Sequence, residues 1–182
     1  MRILVYGFGP YLKFNDNVTA KIVRALPQRP MMNKIVFPVR FHKGQFTNAL
    51  KKYRPDLVLG LGQCSKGRLL RLESRAVNRR RGSKNERLRH IARRGPAALA
   101  TNLTLKLARH ARGSQDAGNY VCNFSMYVML DYIRRRKLTT LFGFVHVPHD
   151  YPPEKAASIV RRTLSSSKFK PSVRGGRQQA RQ

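Results

Sequence analysis

The chain has 182 residues, with 38 Lys or Arg against 8 Asp or Glu and a formal net charge of +30 at pH 7. That length suits one domain of ordinary size with a real core, while the charge excludes a neutral surface and favours a nucleic acid, an acidic protein or an anionic membrane surface as partner. Two cysteines are too few for a disulfide scaffold, the opening MRILVYGFG lacks the apolar segment of a signal peptide, and no stretch approaches the roughly eighteen apolar residues of a membrane span, so an intracellular, cytoplasmic chain is expected.

Residues 2–6, RILVY, read as a first strand. The loop GFGPYLKF follows, with Pro10 disfavouring early helix. Asn17 is placed to cap a helix whose apolar positions, Val18, Ile22, Val23 and Leu26, have helical spacing, and Pro27 and Pro30 end it. KIVFPV reads as an edge strand, because Pro38 lacks a ladder donor. A helix carrying Phe46, Ala49, Leu50 and Tyr53 comes next, then a buried strand in PDLVLGLG. RLLRLESRAVN alternates apolar and charged residues and suits an extended segment. RRRGSKNERLRHIARRG is basic with few apolar anchors, either a surface excursion or a partner-binding arm. PAALATNLTLKLARHA reads as helix, with Leu99, Leu103 and Leu107 at fourfold spacing, and NYVCNFSMYVMLDYI as another, after a glycine turn. TTLFGFVHVPH is a strand running into a loop, and PPEKAASIVRRTL a final helix with Pro153 in its first turn. Beyond residue 165 the chain is a polar, basic tail expected to stay disordered without a partner.

Alternating strands and helices predict an α/β fold, a three-layer α/β/α sandwich with a twisted, mainly parallel sheet. The domain is expected over 1–165 and the tail over 166–182. Ligands in such folds bind beyond the carboxyl ends of the strands, which directs attention to the loops after RILVY, LVLGLG and LFGFVHV. The glycines do not make a nucleotide site: Gly7 and Gly9 fit the start of a dinucleotide fingerprint, but the third glycine falls on Leu12. His146 and His149 have ligand spacing without an evident third ligand, so no metal and no cofactor is expected.

Cys122 stands near the start of a helix, where a thiolate is favoured, although a lone cysteine in helix core is usually a small buried hydrophobe. His146 ends an apolar strand, as a base would, or as a satisfied histidine near a sheet edge would. Glu73 follows the strand-like run LLRL, suited to orient an imidazole, or to make a surface ion pair with Arg71 or Arg75. Together the three fit a Cys-His-Glu hydrolase.

At these positions the sequence resembles the pyroglutamyl peptidase I family, the pyrrolidone-carboxylate peptidases. The opening motif is carried by Gly7, Phe8, Pro10, Tyr11 and Asn17, and GQCSKGRLLRLESRAVN carries the glutamate motif with Gln63, Glu73, Ala76 and Asn78. SQDAGNYVCN carries the cysteine motif and GFVHVP the histidine motif. The resemblance implies Glu73, Cys122 and His146 as catalytic residues, Phe8 and Tyr11 against a lactam ring, and Asn17 and Gln63 near the substrate. The implied activity is removal of an amino-terminal pyroglutamyl residue from peptides. The chain departs from the family pattern between Glu73 and Cys122, which is shortened, and at Tyr11, which replaces a phenylalanine.

The charge supports a second expectation from a different class, a peptidase-like scaffold that binds RNA in a ribosome or other ribonucleoprotein, in an organellar matrix if that ribosome is a specialised one. Its candidate contacts are Arg79, Arg80, Arg81, Arg93, Arg94, Arg134, Arg135 and Arg136, with rRNA or another acidic molecule as partner. The sequence leaves the oligomeric state open.

Overall fold

Three stretches of the chain are apolar without alternation, and each becomes a strand covered on both faces, as expected for the interior of a parallel sheet. The structure is a computed structural model that describes residues 1–11, 15–65, 67–83, 85–105, 107 and 110–166. In chain order the elements are β1 (Ile3–Phe8), α1 (Val18–Ala25), β2 (Met32–Phe37), α2 (Lys43–Tyr53), β3 (Leu57–Cys64), β4 (Leu70–Glu73), β5 (Arg75–Val77), β6 (Ala98–Ala100), β7 (Ala111–Ser114), α3 (Val121–Arg135), β8 (Leu141–Pro148) and α4 (Pro153–Ser166). The expected tail lies outside the described residues from position 167 onward.

The main sheet has six strands in the order β2-β1-β3-β8-β4-β7. Every ladder is parallel except β4 against β8. β5 and β6 form a separate antiparallel pair. Odd-numbered residues of β1, β3 and β8 meet α1 and α4 on one face, around Val5, Leu59, Val145, Ile22 and Ile159. Even-numbered residues meet α2 and α3 on the other, around Tyr6, Val58, Phe144, Phe46 and Phe124. The two-residue period of the strands thus sorts one apolar run into two cores.

Local chemistry sets the ends of α1. The Asn17 side chain accepts hydrogen bonds from the Thr19 N–H at 3.0 Å and the Thr19 hydroxyl at 2.7 Å, satisfying a donor that the first turn leaves free. The Thr19 hydroxyl oxygen in turn accepts from the Phe8 N–H at 2.9 Å, tying the helix start to the end of β1. β2 lies at the sheet edge as expected, but it ends at Phe37, before Pro38.

One expectation fails. The described residues of 96–111 form no α-helix: β6 occupies Ala98–Ala100 and non-helical chain follows it. Leu103, Leu105 and Leu107 are buried while Thr104 is exposed, a period of two that outweighs the fourfold spacing from Leu99. β7, with the sequence ARGS, has no apolar pattern and is held by its parallel ladder to β4. The basic stretch 79–95 is built around Asn78, whose side-chain amide donates to the carbonyls of Ala92 at 2.7 Å and Gly95 at 3.2 Å. The same side chain accepts from the N–H groups of Ile91 and Ala92, and buried Ile91 anchors the loop from beneath.

Gly60 lies at a tight point of the core. A Cβ there would lie 2.4 Å from Phe144 Cδ2 and 2.6 Å from Tyr6 Cζ, whereas one at Gly113 would meet nothing within 4 Å. Gly60→Ala is expected to lower unfolding free energy in urea by about 1–3 kcal/mol through overpacking, with Gly113→Ala close to neutral.

Candidate active site

His146 lies on β8 between β3 and β4, opposite Gly62 on one side and Arg71 on the other. Its ring faces the α3 side of the sheet, edge-on to Phe144 with centroids 5.1 Å apart. Glu73, the last residue of β4, is fully buried, and its Oε1 lies 2.8 Å from His146 Nδ1. The second carboxylate oxygen, Oε2, is buried without a hydrogen-bond partner. Glu73 is therefore no surface partner for Arg71 or Arg75, and Arg75 Nε donates instead to the Gln115 carbonyl at 2.9 Å.

Cys122 is the second residue of α3 and comes to the same place from the helix layer. A Cβ on Gly62 would lie 2.8 Å from Cys122 Sγ, 2.8 Å from His146 Cδ2 and 2.7 Å from Phe144 Cζ. The absent side chain lets sulfur and imidazole share one space. Burial alone would push the His146 imidazole down; the negative charge of Cys122 and its hydrogen bond, followed by the bond and charge of Glu73, outweigh burial and raise it to about 9. Tyr120 precedes α3 and gives it no side-chain cap, and its first turn carries no acidic residue, so the positive end of the helix dipole lies beside Cys122 without a counter-charge from that turn.

A cavity of about 580 Å³ opens at Cys122, at the carboxyl ends of β1 and β3. Phe8, Tyr11, Asn17 and Gln63, all expected near substrate, line it. Asn17 and Gln63 have structural duties as well: Asn17 caps α1, and Gln63 Oε1 accepts from the Val18 N–H at 2.9 Å. Sequence reading missed Val39, Tyr120 and His149, which come from three different loops and meet only in the fold. Tyr120 donates a hydrogen bond to the Tyr11 hydroxyl, and their rings lie 5.0 Å apart. Burial, then the bond to Tyr11, pushes the Tyr120 phenol up. Cys64 lines the same cavity, half-buried, with its thiol also raised by burial. Among the described residues no group of three His, Cys, Asp or Glu is placed to hold a metal, and no helix is long and apolar enough to cross a membrane.

The arginines considered for RNA contact separate into groups. Arg80 lies over the rings of Phe41 at 4.9 Å and Phe124 at 6.0 Å. The backbones of Arg79 and Arg81 are held by Asn123 and Asn119 respectively. Arg136 ends α3 over the ring of Tyr132. Arg93, Arg94, Arg134 and Arg135 line one cleft, away from the cavity at Cys122.

The family model for pyroglutamyl peptidases matches residues 1–178. This chain belongs to the pyroglutamyl peptidase family. It is 27% identical over 195 residues to pyrrolidone-carboxylate peptidase 1 of Saccharolobus solfataricus, covering 96% of this chain and 90% of that protein. It is 31% identical over 168 residues to the pyrrolidone-carboxylate peptidase of Lactobacillus acidophilus, covering 81% of this chain and 84% of that one. A solved mutant pyrrolidone carboxyl peptidase from Pyrococcus furiosus superposes with a TM-score of 0.81 at 24% identity, covering 91% of this chain and 97% of that one. The pyrrolidone carboxyl peptidase of Thermococcus litoralis gives 0.77 at 20% identity, over 90% and 91% of the two chains. These two likenesses establish the fold.

The raised His146 has a definite pH signature. Its folded value of about 9 exceeds the ordinary 6.5, so the charged ring contributes stability that is full below pH 6.5 and is lost as pH rises through about 9. The His146 ring resonances are expected to titrate near pH 9. In Cys122→Ser and Glu73→Gln the midpoint should move toward 6.5, and the fall in unfolding free energy between pH 6.5 and 9 should become shallower.

Proposed function

We propose that this chain is a cysteine exopeptidase that removes an amino-terminal pyroglutamyl residue from peptides. The observation that carries the reading is the buried 2.8 Å contact of His146 Nδ1 with Glu73 Oε1, on a ring that shares the space over Gly62 with the Cys122 sulfur. In this reading Glu73 fixes the tautomer and orientation of His146, which takes the thiol proton of Cys122. The thiolate attacks the pyroglutamyl carbonyl carbon, and the oxyanion is received by N–H groups of the first turn of α3. Collapse of the tetrahedral adduct expels the peptide amine, protonated by His146, and leaves a thioester on Cys122. His146 then deprotonates a water that hydrolyses the thioester and restores the thiol.

The lactam would lie in the cavity lined by Phe8, Tyr11 and Tyr120, with Asn17 and Gln63 at its polar side. An amino terminus carrying a free ammonium would lose water there without gaining a carboxylate partner, which favours the neutral ring.

The test is hydrolysis of a pyroglutamyl chromogenic amide beside glutaminyl and prolyl amides. The pyroglutamyl compound should be cleaved with strong preference, and equal cleavage of the glutaminyl amide would overturn the assignment. Cys122→Ser should lower kcat by on the order of 10³-fold or more, and Glu73→Gln by less. Gly62→Ala should lower kcat by about 10²-fold in a folded protein, because the added Cβ must displace the sulfur or the imidazole by a fraction of an ångström to an ångström. Full turnover by Cys122→Ser would remove Cys122 as nucleophile.

A further inference from the structure

A second cleft, of about 310 Å³, lies on the α2 and α3 side of the molecule, away from the candidate active site. Five cations line it from three elements: Lys43 at the start of α2, Arg93 and Arg94 on the loop built around Asn78, and Arg134 and Arg135 in the last turn of α3. One acid stands among them. The Asp131 side chain is 9% exposed, and its two oxygens take one guanidinium each, from Arg134 at 2.8 Å and Arg135 at 2.9 Å. The carboxylate fixes two arginines in place and still leaves four positive charges uncompensated along the walls. Ile91, Ala92 and Val128 supply an apolar floor. α2 begins there with no side-chain cap and no acidic residue in its first turn, which adds the positive end of its dipole.

Like charges brought together by three separate elements repel one another, and an anion in the cleft removes that cost. Four of the five cations are arginines, whose planar fork pairs with phosphate oxygens two at a time. A concave wall suits a strand that threads it better than a flat lipid surface. The excess of 38 basic over 8 acidic residues extends well beyond the cleft, which fits a long polyanion rather than a single small one. We propose that the cleft between α2, α3 and the 91–95 loop binds the phosphodiester backbone of a nucleic acid strand, and that it does so independently of the peptidase site.

The test measures binding of a fluorescein-labelled single-stranded RNA to the full chain by anisotropy across a salt series, with the same sequence as DNA and phosphatidylserine-containing vesicles as further arms. The triple variant Lys43→Gln, Arg93→Gln, Arg94→Gln leaves the arginines held by Asp131 in place. A control triple, Arg24→Gln, Arg161→Gln, Arg162→Gln, removes the same charge from the α1 and α4 side. The cleft triple should weaken RNA binding by about 10- to 100-fold and reduce the slope of log affinity against log salt by about 2, at roughly 0.7 per lost phosphate contact. The control triple should change affinity less than about threefold, and both triples should keep amide turnover. A DNA strand bound with the same dependence on the cleft supports the proposal and names the shared backbone as ligand. Equal losses in the two triples would show a diffuse field and overturn it. So would absence of RNA and DNA binding at low salt, or cleft-dependent binding of vesicles without nucleic acid. If the triple does not fold, Arg94→Gln alone should still lower the salt slope by about 0.7, and an unchanged slope counts against the cleft.

Discussion

The arrangement rests on a gap in one strand. On the α3 side of the sheet, β3 presents Val58 and then two glycines, Gly60 and Gly62, where neighbouring strands present Tyr6 and Phe144 beside the first and His146 beside the second. The rings of Tyr6 and Phe144 fill the first gap, and the Cys122 sulfur and the His146 ring fill the second. A helix start can therefore press its second residue against the middle of the sheet, in a place where close packing normally leaves no room. The tight helix contact and the meeting of thiol and imidazole both follow from two missing side chains.

The scarcity of acids gives each buried one weight. Glu73 and Asp131 are both enclosed, and both organise cationic groups, in one case an imidazole at the cavity and in the other two guanidinium groups at the basic cleft. Their settings differ. Asp131 has both oxygens engaged, while Glu73 keeps Oε2 without a partner in a fully buried position. An unpaired acceptor there costs stability, a cost accepted at sites whose geometry serves something other than folding.

The sheet and its flanking helices were legible because the interior strands are continuous apolar runs and the helices carry spaced apolar residues with caps such as Asn17. The failure at 96–111 has a physical cause: Leu99, Leu103 and Leu107 satisfy a helical period and Leu103, Leu105 and Leu107 a strand period, and only the sheet decides between them. The ARGS strand owes its form to β4 alone, which no local pattern reveals. At the site, placement at a helix start and at strand ends, together with the resemblance of motifs, pointed to Glu73, Cys122 and His146, and spacing alone would not have joined a carboxylate and an imidazole 73 residues apart. The hydrogen bond by which Gln63 seats α1, and the convergence of 93–94 with 134–135, depend on tertiary contacts and left no trace in local sequence.

The position of β8 has a consequence for the order in which the molecule is built. It is the last strand among the described residues, yet it lies in the middle of the sheet, between β3 and β4. Before it arrives, β2-β1-β3 and β4-β7 are two fragments with open edges and no ladder between them. The sheet closes only when the final strand inserts, a step dominated by contacts distant in sequence and slow for that reason. Because β8 also carries His146, the thiol at Cys122 lies without that imidazole until the strand inserts. A chain cut before β8 cannot bring Glu73, Cys122 and His146 together, and the three side chains meet only when the sheet closes.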